Sequence, residues 1–313
     1  MSEFLQHVVN GVSVGTNYAL IALGYTMVYG VLKLINFAHG DVYMVGAFAG
    51  YFIAHALGVA AEGYEPSLFN TLLVFVGSMG VCAALGYAIE RLAYRPLRDR
   101  PRLTSLITAI GISFLLEYGF QLPAWAGLPI EFPPGPSPRF FPELFPRVVW
   151  LEVWEVAFSN YDVIALGTAV VLMLGLQFIV YRTKFGVAMR AVSFDPNAAA
   201  LMGIPVDRVI SITFALGSAL AGAASLLMAI SHPRIDPLMG MMPGLKAFVA
   251  AVFGGIGSVP GATIGGILLG LSEEMVAGYA FSSFRDAIAF AILIAVLLVK
   301  PEGLFGRRTS EKV

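Results

Sequence analysis

Chemistry in this chain has to come from a short list of side chains. Four histidines stand at 7, 39, 55 and 232, and none forms an i,i+4 pair with another histidine that would suit zinc. Ser231 and His232 are adjacent at a helix end, where chain neighbours do not face each other, so they build no nucleophile–base pair. No GxxxxGK[ST] run occurs, so no nucleotide is held by a P-loop, and any ATP is hydrolysed by another subunit. The chain is therefore expected to be no enzyme and to carry no metal and no cofactor. The remaining candidates are polar groups inside apolar runs. Asn17 lies midway in the first run, where it suits an interhelical hydrogen bond or a substrate contact. Asn36, His39 and Asp41 fall in LKLINFAHGD (32–41), Glu117 sits late in the fourth run, and Glu273 and Glu274 are expected to end a short helix. A proton- or sodium-coupled carrier places carboxylates centrally, and none is expected to be central here. Asn17, Asn36, His39 and Glu117 are the candidates for a substrate pathway.

The elements that must position these groups are membrane helices. The chain has 313 residues, 58% hydrophobic and only 12% charged, against about 25% charged in a soluble domain. Apolar runs at 5–31, 37–58, 69–90, 103–122, 161–181, 209–230, 245–277 (interrupted) and 284–299 have the length of bilayer-crossing helices. The expected fold is an all-α polytopic membrane protein of eight or nine transmembrane or re-entrant helices, in one transmembrane domain over 1–313. The single Cys82 lies in an apolar run, so no disulfide or thiolate metal site is expected.

Charge orients the runs. Most Lys and Arg cluster in three places: Arg91, Arg95, Arg98, Arg100 and Arg102; Arg182, Lys184, Arg190 and Arg208; and Lys300, Arg307, Arg308 and Lys312. All three belong on the cytoplasmic side. Residues 123–160, with PPGPSP, Trp125, Trp150 and Trp154, and Glu131, Glu143, Glu152 and Glu155, form an external insertion, a partly ordered cap with interfacial aromatics. Counting crossings back from the arginines puts the N-terminus outside. Counting forward makes 232–281 start and finish outside, as a pair of short helices broken at GGIGSVPG (254–261). This break and 32–41 invite comparison with transporters in which non-helical backbone lines a midplane cavity. An ordinary cytoplasmic turn holding Lys33 fits 32–41 equally well. Glycines at 11 and 15, 46 and 50, 217 and 222, and 266 and 270 mark close helix approaches, expected within one chain rather than at a dimer interface.

The polar loop 182–208 holds a short helix punctuated at both ends. Asp195 is a good N-cap, Pro196 suits the first helical position, Gly203 fits the position after the C-cap, and Pro205 stops continuation. Ala198, Leu201 and Met202 give it an apolar face between basic flanks. Such a helix is expected to be presented to a cytosolic partner that drives transport.

The runs NGVSVGTNYALIALGYTMVYGVLKLINFAHGDVYMVGAF (10–48), ERLAYRPLR (90–98), FGVAMRAVSFDPNAAALMGIPVDRVI (185–210) and KAFVAAVFGGIGSVPGATIGGILLGLSE (246–273) resemble the H-type permease of high-affinity branched-chain amino acid ABC importers. The likeness spans nearly the whole chain and is weakest in 123–160. It implies a bacterial inner-membrane importer built from this chain, a second related permease, two cytoplasmic ATPases and a periplasmic binding protein, with no nucleic-acid partner. It also implies that the loop helix, through Asp195, Pro196, Ala198, Ala199, Leu201, Met202 and Gly203, couples the ATPase to the membrane. The implied cargo is Leu, Ile and Val. Urea and short-amide importers have closely similar permeases and are the alternative cargo class; a self-contained channel or secondary carrier is the alternative mechanism. The binding protein is expected to make most of the selection, because the permease must let a zwitterion pass without holding it.

Overall fold

A helix that is apolar all round is buried all round, whereas one buried on a single stripe lies at the periphery. The computed structural model follows that rule. It describes residues 2–306 apart from 62, 99, 126–130, 154, 155, 280 and 281; Trp154, Glu155, Arg307, Arg308 and Lys312 therefore lie outside the described residues. Among the described residues eleven α-helices follow in order: α1 (Ser2–Leu32), α2 (His39–Ala56), α3 (Leu68–Ile89), α4 (Arg102–Phe120), α5 (Asn160–Arg182), α6 (Lys184–Phe194), α7 (Pro196–Leu201), α8 (Val206–Ser231), α9 (Met241–Gly254), α10 (Val259–Tyr279) and α11 (Arg285–Val299). Helix α3 runs on through a π turn, Glu90–Tyr94, and a 3-10 turn, Arg95–Leu97. Nine of the eleven form the body, in agreement with eight or nine expected segments, and α6 and α7 occupy the polar loop. Helices α3, α4, α5, α8 and α11, with the turns that extend α3 and α11, are long and apolar enough to cross a bilayer.

Helix α1 is the axis of the body, with every residue from Gly15 to Val28 buried. Helix α8 lies beside it with 78% of its span buried, whereas α4 and α11 show 17% and 6%. Glycines set the close approaches, all within the chain as expected. Helices α1 and α10 run antiparallel with Gly11 against Leu271, Gly15 against Ile267 and Gly266 against Ala19. A Cβ on Gly15 would stand 2.7 Å from the Ile267 Cα, so backbone itself occupies the space. Gly217 of α8 faces Gly24 of α1, and Gly46 of α2 faces Gly222 of α8.

These pairings define two ends. Gln6 at the start of α1 hydrogen-bonds to the backbone of Ala157, so the N-terminus lies at the end that carries the 123–160 insertion. Ser193 of α6 donates to the Gly30 carbonyl, which places α6 and α7 at the opposite, arginine-bearing end. The antiparallel register carries the start of α10 to that end as well. There Leu304 and Phe305 donate to the carbonyls of Phe253 and Gly254. GGIGSVPG is therefore the tight turn between α9 and α10 at the arginine-bearing end, with Gly255 at φ 107° and Gly257 at φ 94°.

Three expectations are corrected. Glu273 and Glu274 do not end a short helix, because α10 continues to Tyr279 and buries Glu273 completely. The loop 182–208 holds α6 as well as α7; Thr183 caps α6 by accepting from the Gly186 N–H at 3.1 Å. The insertion contains strands: β1 (Arg139–Phe140) pairs with β4 (Arg234–Ile235), and β2 (Val149–Val153) forms a hairpin with β3 (Val156–Ser159). Ser159 and Asp162 then form a reciprocal capping box that starts α5.

Candidate functional site

A cavity of about 420 Å³ opens between α2, α4 and the N-terminal end of α9, closed behind by Tyr25 of α1. Its walls are built by close backbone approach. Gly40 in the first turn of α2 packs on Gly240 and Gly244, and a Cβ on Gly244 would stand 2.8 Å from the Gly40 Cα. This meeting is possible because α1 ends early: Lys33 takes φ 55°, the chain leaves the helix over 33–38, and α2 begins at His39. The second irregular segment at the cavity is the stretch before α9, ending at Gly240, and not GGIGSVPG, which is absorbed in the α9–α10 turn.

Most of the lining is apolar, with Phe37, Leu106, Ile110, Phe114, Met241 and Leu245 on its walls. One side is acidic. Asp41 of α2 accepts a 2.5 Å hydrogen bond from Ser113 of α4, and Glu117, one turn further along α4, stands within hydrogen-bonding reach of Asp41. Both carboxylates are buried, at 2% and 4% exposure. Asp41 lies in the first turn of α2, where the helix dipole favours its anion.

The four predicted pathway residues separate in space. Glu117 lines the cavity. His39 stands behind the lining, its ring 4.8 Å from that of Tyr25, and its Nε2 faces Gly24 without a hydrogen bond. Asn36 is buried and accepts from the Tyr94 hydroxyl at 2.9 Å, tying the 33–38 break to the π turn. Asn17 is buried in α1, its amide donating to the Ser13 carbonyl at 3.5 Å and its Oδ1 unsatisfied. Asp41 and Ser113 join Glu117 in the cavity instead, from positions far apart in the chain.

A second buried charge set went unforeseen. Lys246 of α9 pairs with Glu273 of α10 at 3.1 Å and Asp286 of α11 at 2.7 Å, and Tyr18 of α1 donates to Glu273 at 3.0 Å. A lone lysine inside an apolar run was the available signal. This network sits behind the cavity wall, since Leu245 lines the cavity and Lys246 points away into the body.

At the arginine-bearing end, Asp195 caps α7 as expected, accepting from Asn197 N–H at 2.8 Å and Ala198 N–H at 3.0 Å. Gly203, at φ 80°, donates to the Ala200 carbonyl and Ile204 to that of Ala199, a Schellman closure. Pro196 occupies the first turn, and Ala198, Leu201 and Met202 are exposed, the last two at 89% and 83%. Ala199 faces the other way and is buried. Phe194, 94% exposed at the end of α6, extends the apolar face and has no forerunner in the sequence reading. Behind α7, Arg98 bridges fully buried Glu90 of the π turn to Asp207 in the first turn of α8, and Arg95 also reaches Asp207. The loop and the α3–α4 junction thus share one ionic clamp.

Residues 7–297 match the family described as branched-chain amino acid transport system / permease component. The high-affinity branched-chain amino acid transport system permease protein LivH of Salmonella typhimurium is 41% identical over 99% of this chain and 98% of its own length. BraD of Pseudomonas aeruginosa, named as the same kind of permease, is 41% identical with the same coverage. LivM of Escherichia coli, a second kind of permease named for such a system, is 26% identical over 92% of this chain and 67% of its own. The family match and the end-to-end identities cover every element that forms the cavity and the exposed loop helix, and the chain belongs to the family of branched-chain amino acid transport system permease components.

Proposed function

We propose that this chain is the permease subunit of an ATP-driven importer that passes branched-chain amino acids across the bacterial inner membrane. A binding protein outside delivers Leu, Ile or Val, and separate ATPase subunits supply the energy. The observation that carries this reading is the pairing of two features in one body. One is a largely apolar cavity of a size that suits a small ligand, about 300–1,000 Å³. The other is a capped helix that exposes Leu201 and Met202 at the arginine-bearing end. Two fully exposed large apolar side chains on a six-residue helix have no role within the chain, and docking on an ATPase removes them from water.

The cavity opens on the face where α4 exposes Leu106, Ile110 and Phe114. A second, related permease covering that face closes the pathway, in keeping with the distinct LivM-type relative. Movement of α7 reaches the cavity through the clamp at Glu90, Arg98 and Asp207, because α4 starts directly after that junction. The test is co-purification of the ATPase with the permease pair. Leu201→Asp is expected to abolish it, while Phe140→Asp, at an exposed position on β1 at the opposite end, leaves it intact. Retention of the ATPase by the Leu201→Asp chain overturns the docking assignment.

A further inference from the structure

We infer that Asp41 and Glu117 form the subsite for the ammonium group of the passing zwitterion, and that this pair makes the permease itself selective for ammonium-bearing cargo. The inference rests on the transport reading above and adds a specificity step to it.

Two carboxylates side by side at membrane depth repel each other, a cost that a shared proton or a bound cation relieves. No Lys, Arg or His is among the residues lining this cavity. Buried Lys246, next in the chain to Leu245 of the lining, is committed to Glu273 and Asp286. Asp41 is already served by the Ser113 hydroxyl and the start of α2. Glu117 is not. It is 4% exposed and lines the cavity, and the hydrogen-bonding neighbour of its carboxylate is Asp41, itself an acid. The cavity thus holds an acceptor in want of a cationic donor, with room beside it.

An ammonium group fits that want. It brings three N–H donors and one positive charge, so it bridges both carboxylates with charge-assisted hydrogen bonds. The aromatic faces of Phe37 and Phe114 on the same walls favour a cation further. The aliphatic remainder then lies on Leu106, Ile110 and Leu245, which offer no polar partner and accept any branched chain. Urea donates N–H groups but leaves the negative charge unbalanced, and a carboxylate without an ammonium is repelled. Because Ser113, Glu117 and Asp41 span only α2 and α4, a shift of α4 opens the pair and releases the cation, as a site of passage requires.

The experiment uses the assembled transporter in proteoliposomes with its loaded binding protein, together with dicyclohexylcarbodiimide, which forms stable adducts with buried carboxyl groups. Wild-type uptake of leucine and of urea is measured first. Adduct formation at Glu117 and Asp41 is then followed by peptide mass spectrometry with leucine, 3-methylbutylammonium, 4-methylpentanoate or urea present. Leucine and 3-methylbutylammonium are expected to slow labelling, and 4-methylpentanoate and urea to leave it unchanged. Glu117→Gln is expected to cut leucine uptake about tenfold or more, the effect of losing one charge-assisted bond, with partial recovery in Glu117→Asp. Labelling that ignores 3-methylbutylammonium, labelling slowed equally by urea, or full leucine uptake in Glu117→Gln overturns the ammonium subsite even where wild-type leucine uptake is intact. Uptake of urea and not leucine overturns the cargo reading instead, so the two failures are distinct.

Discussion

Lys246 and Glu273 are buried together beside the Tyr18 hydroxyl, with half-exposed Asp286 on Lys246 and Arg285 3.5 Å from Glu273 at the edge of the set. Removing one partner of such a set strands the other, which costs about 3–5 kcal/mol, whereas replacing both by apolar groups of similar size is near neutral. Lys246→Met alone is therefore expected to lower the thermal midpoint of the detergent-purified chain sharply, and Lys246→Met with Glu273→Met to restore most of it. Equal loss in the single and double variants would show that the charges do more than satisfy each other. Residues of this kind are the hardest to foresee. Lys246 and Glu273 belong to different helices, as do Asp41 and Glu117, and no local period links them. Glu117 was legible as a candidate because it interrupts an apolar run. Its partner Asp41 was visible only as part of a polar interval, since pairing across helices is decided by packing and not by spacing.

At the scale of elements, the sequence was a better guide where the physics is local. Asp195, Pro196 and Gly203 act within one helical turn of themselves, and both caps of α7 stand where these residue types require them. Apolar length likewise marked the body helices, and glycine spacing marked the approaches of α1 to α10 and of α2 to α8. What escaped was α6, whose charged and small residues read as loop, and the length of α10, because two adjacent glutamates imitate a helix end. The cap makes a prediction of its own. Asp195→Ala removes the acceptor for two N–H groups at the start of a six-residue helix, at a cost of about 1 kcal/mol. Amide exchange over 196–202 is expected to rise about fivefold, with protection in α8 unchanged. Unaltered exchange in α7 would mean that packing of Ala199, not the cap, holds the helix.

In the whole molecule the ionic clamp stands between the loop that carries the exposed helix and the start of α4, which forms one wall of the cavity. Helix α1 is buried continuously from Gly15 to Val28 and α8 over 78% of its span, whereas 17% of the span of α4 is buried. The clamp of Glu90, Arg98 and Asp207 ties the start of that wall to the loop that carries α7. Transport should then require every part at once: the chain, a second permease, an ATPase outside the chain, and a delivered cargo. The most direct measurement is uptake of labelled leucine into proteoliposomes holding the two permeases and the ATPases, with and without ATP and loaded binding protein. Accumulation that needs both, and that is abolished by Leu201→Asp, is the predicted result. Leucine uptake by this chain without ATP or binding protein would contradict the account.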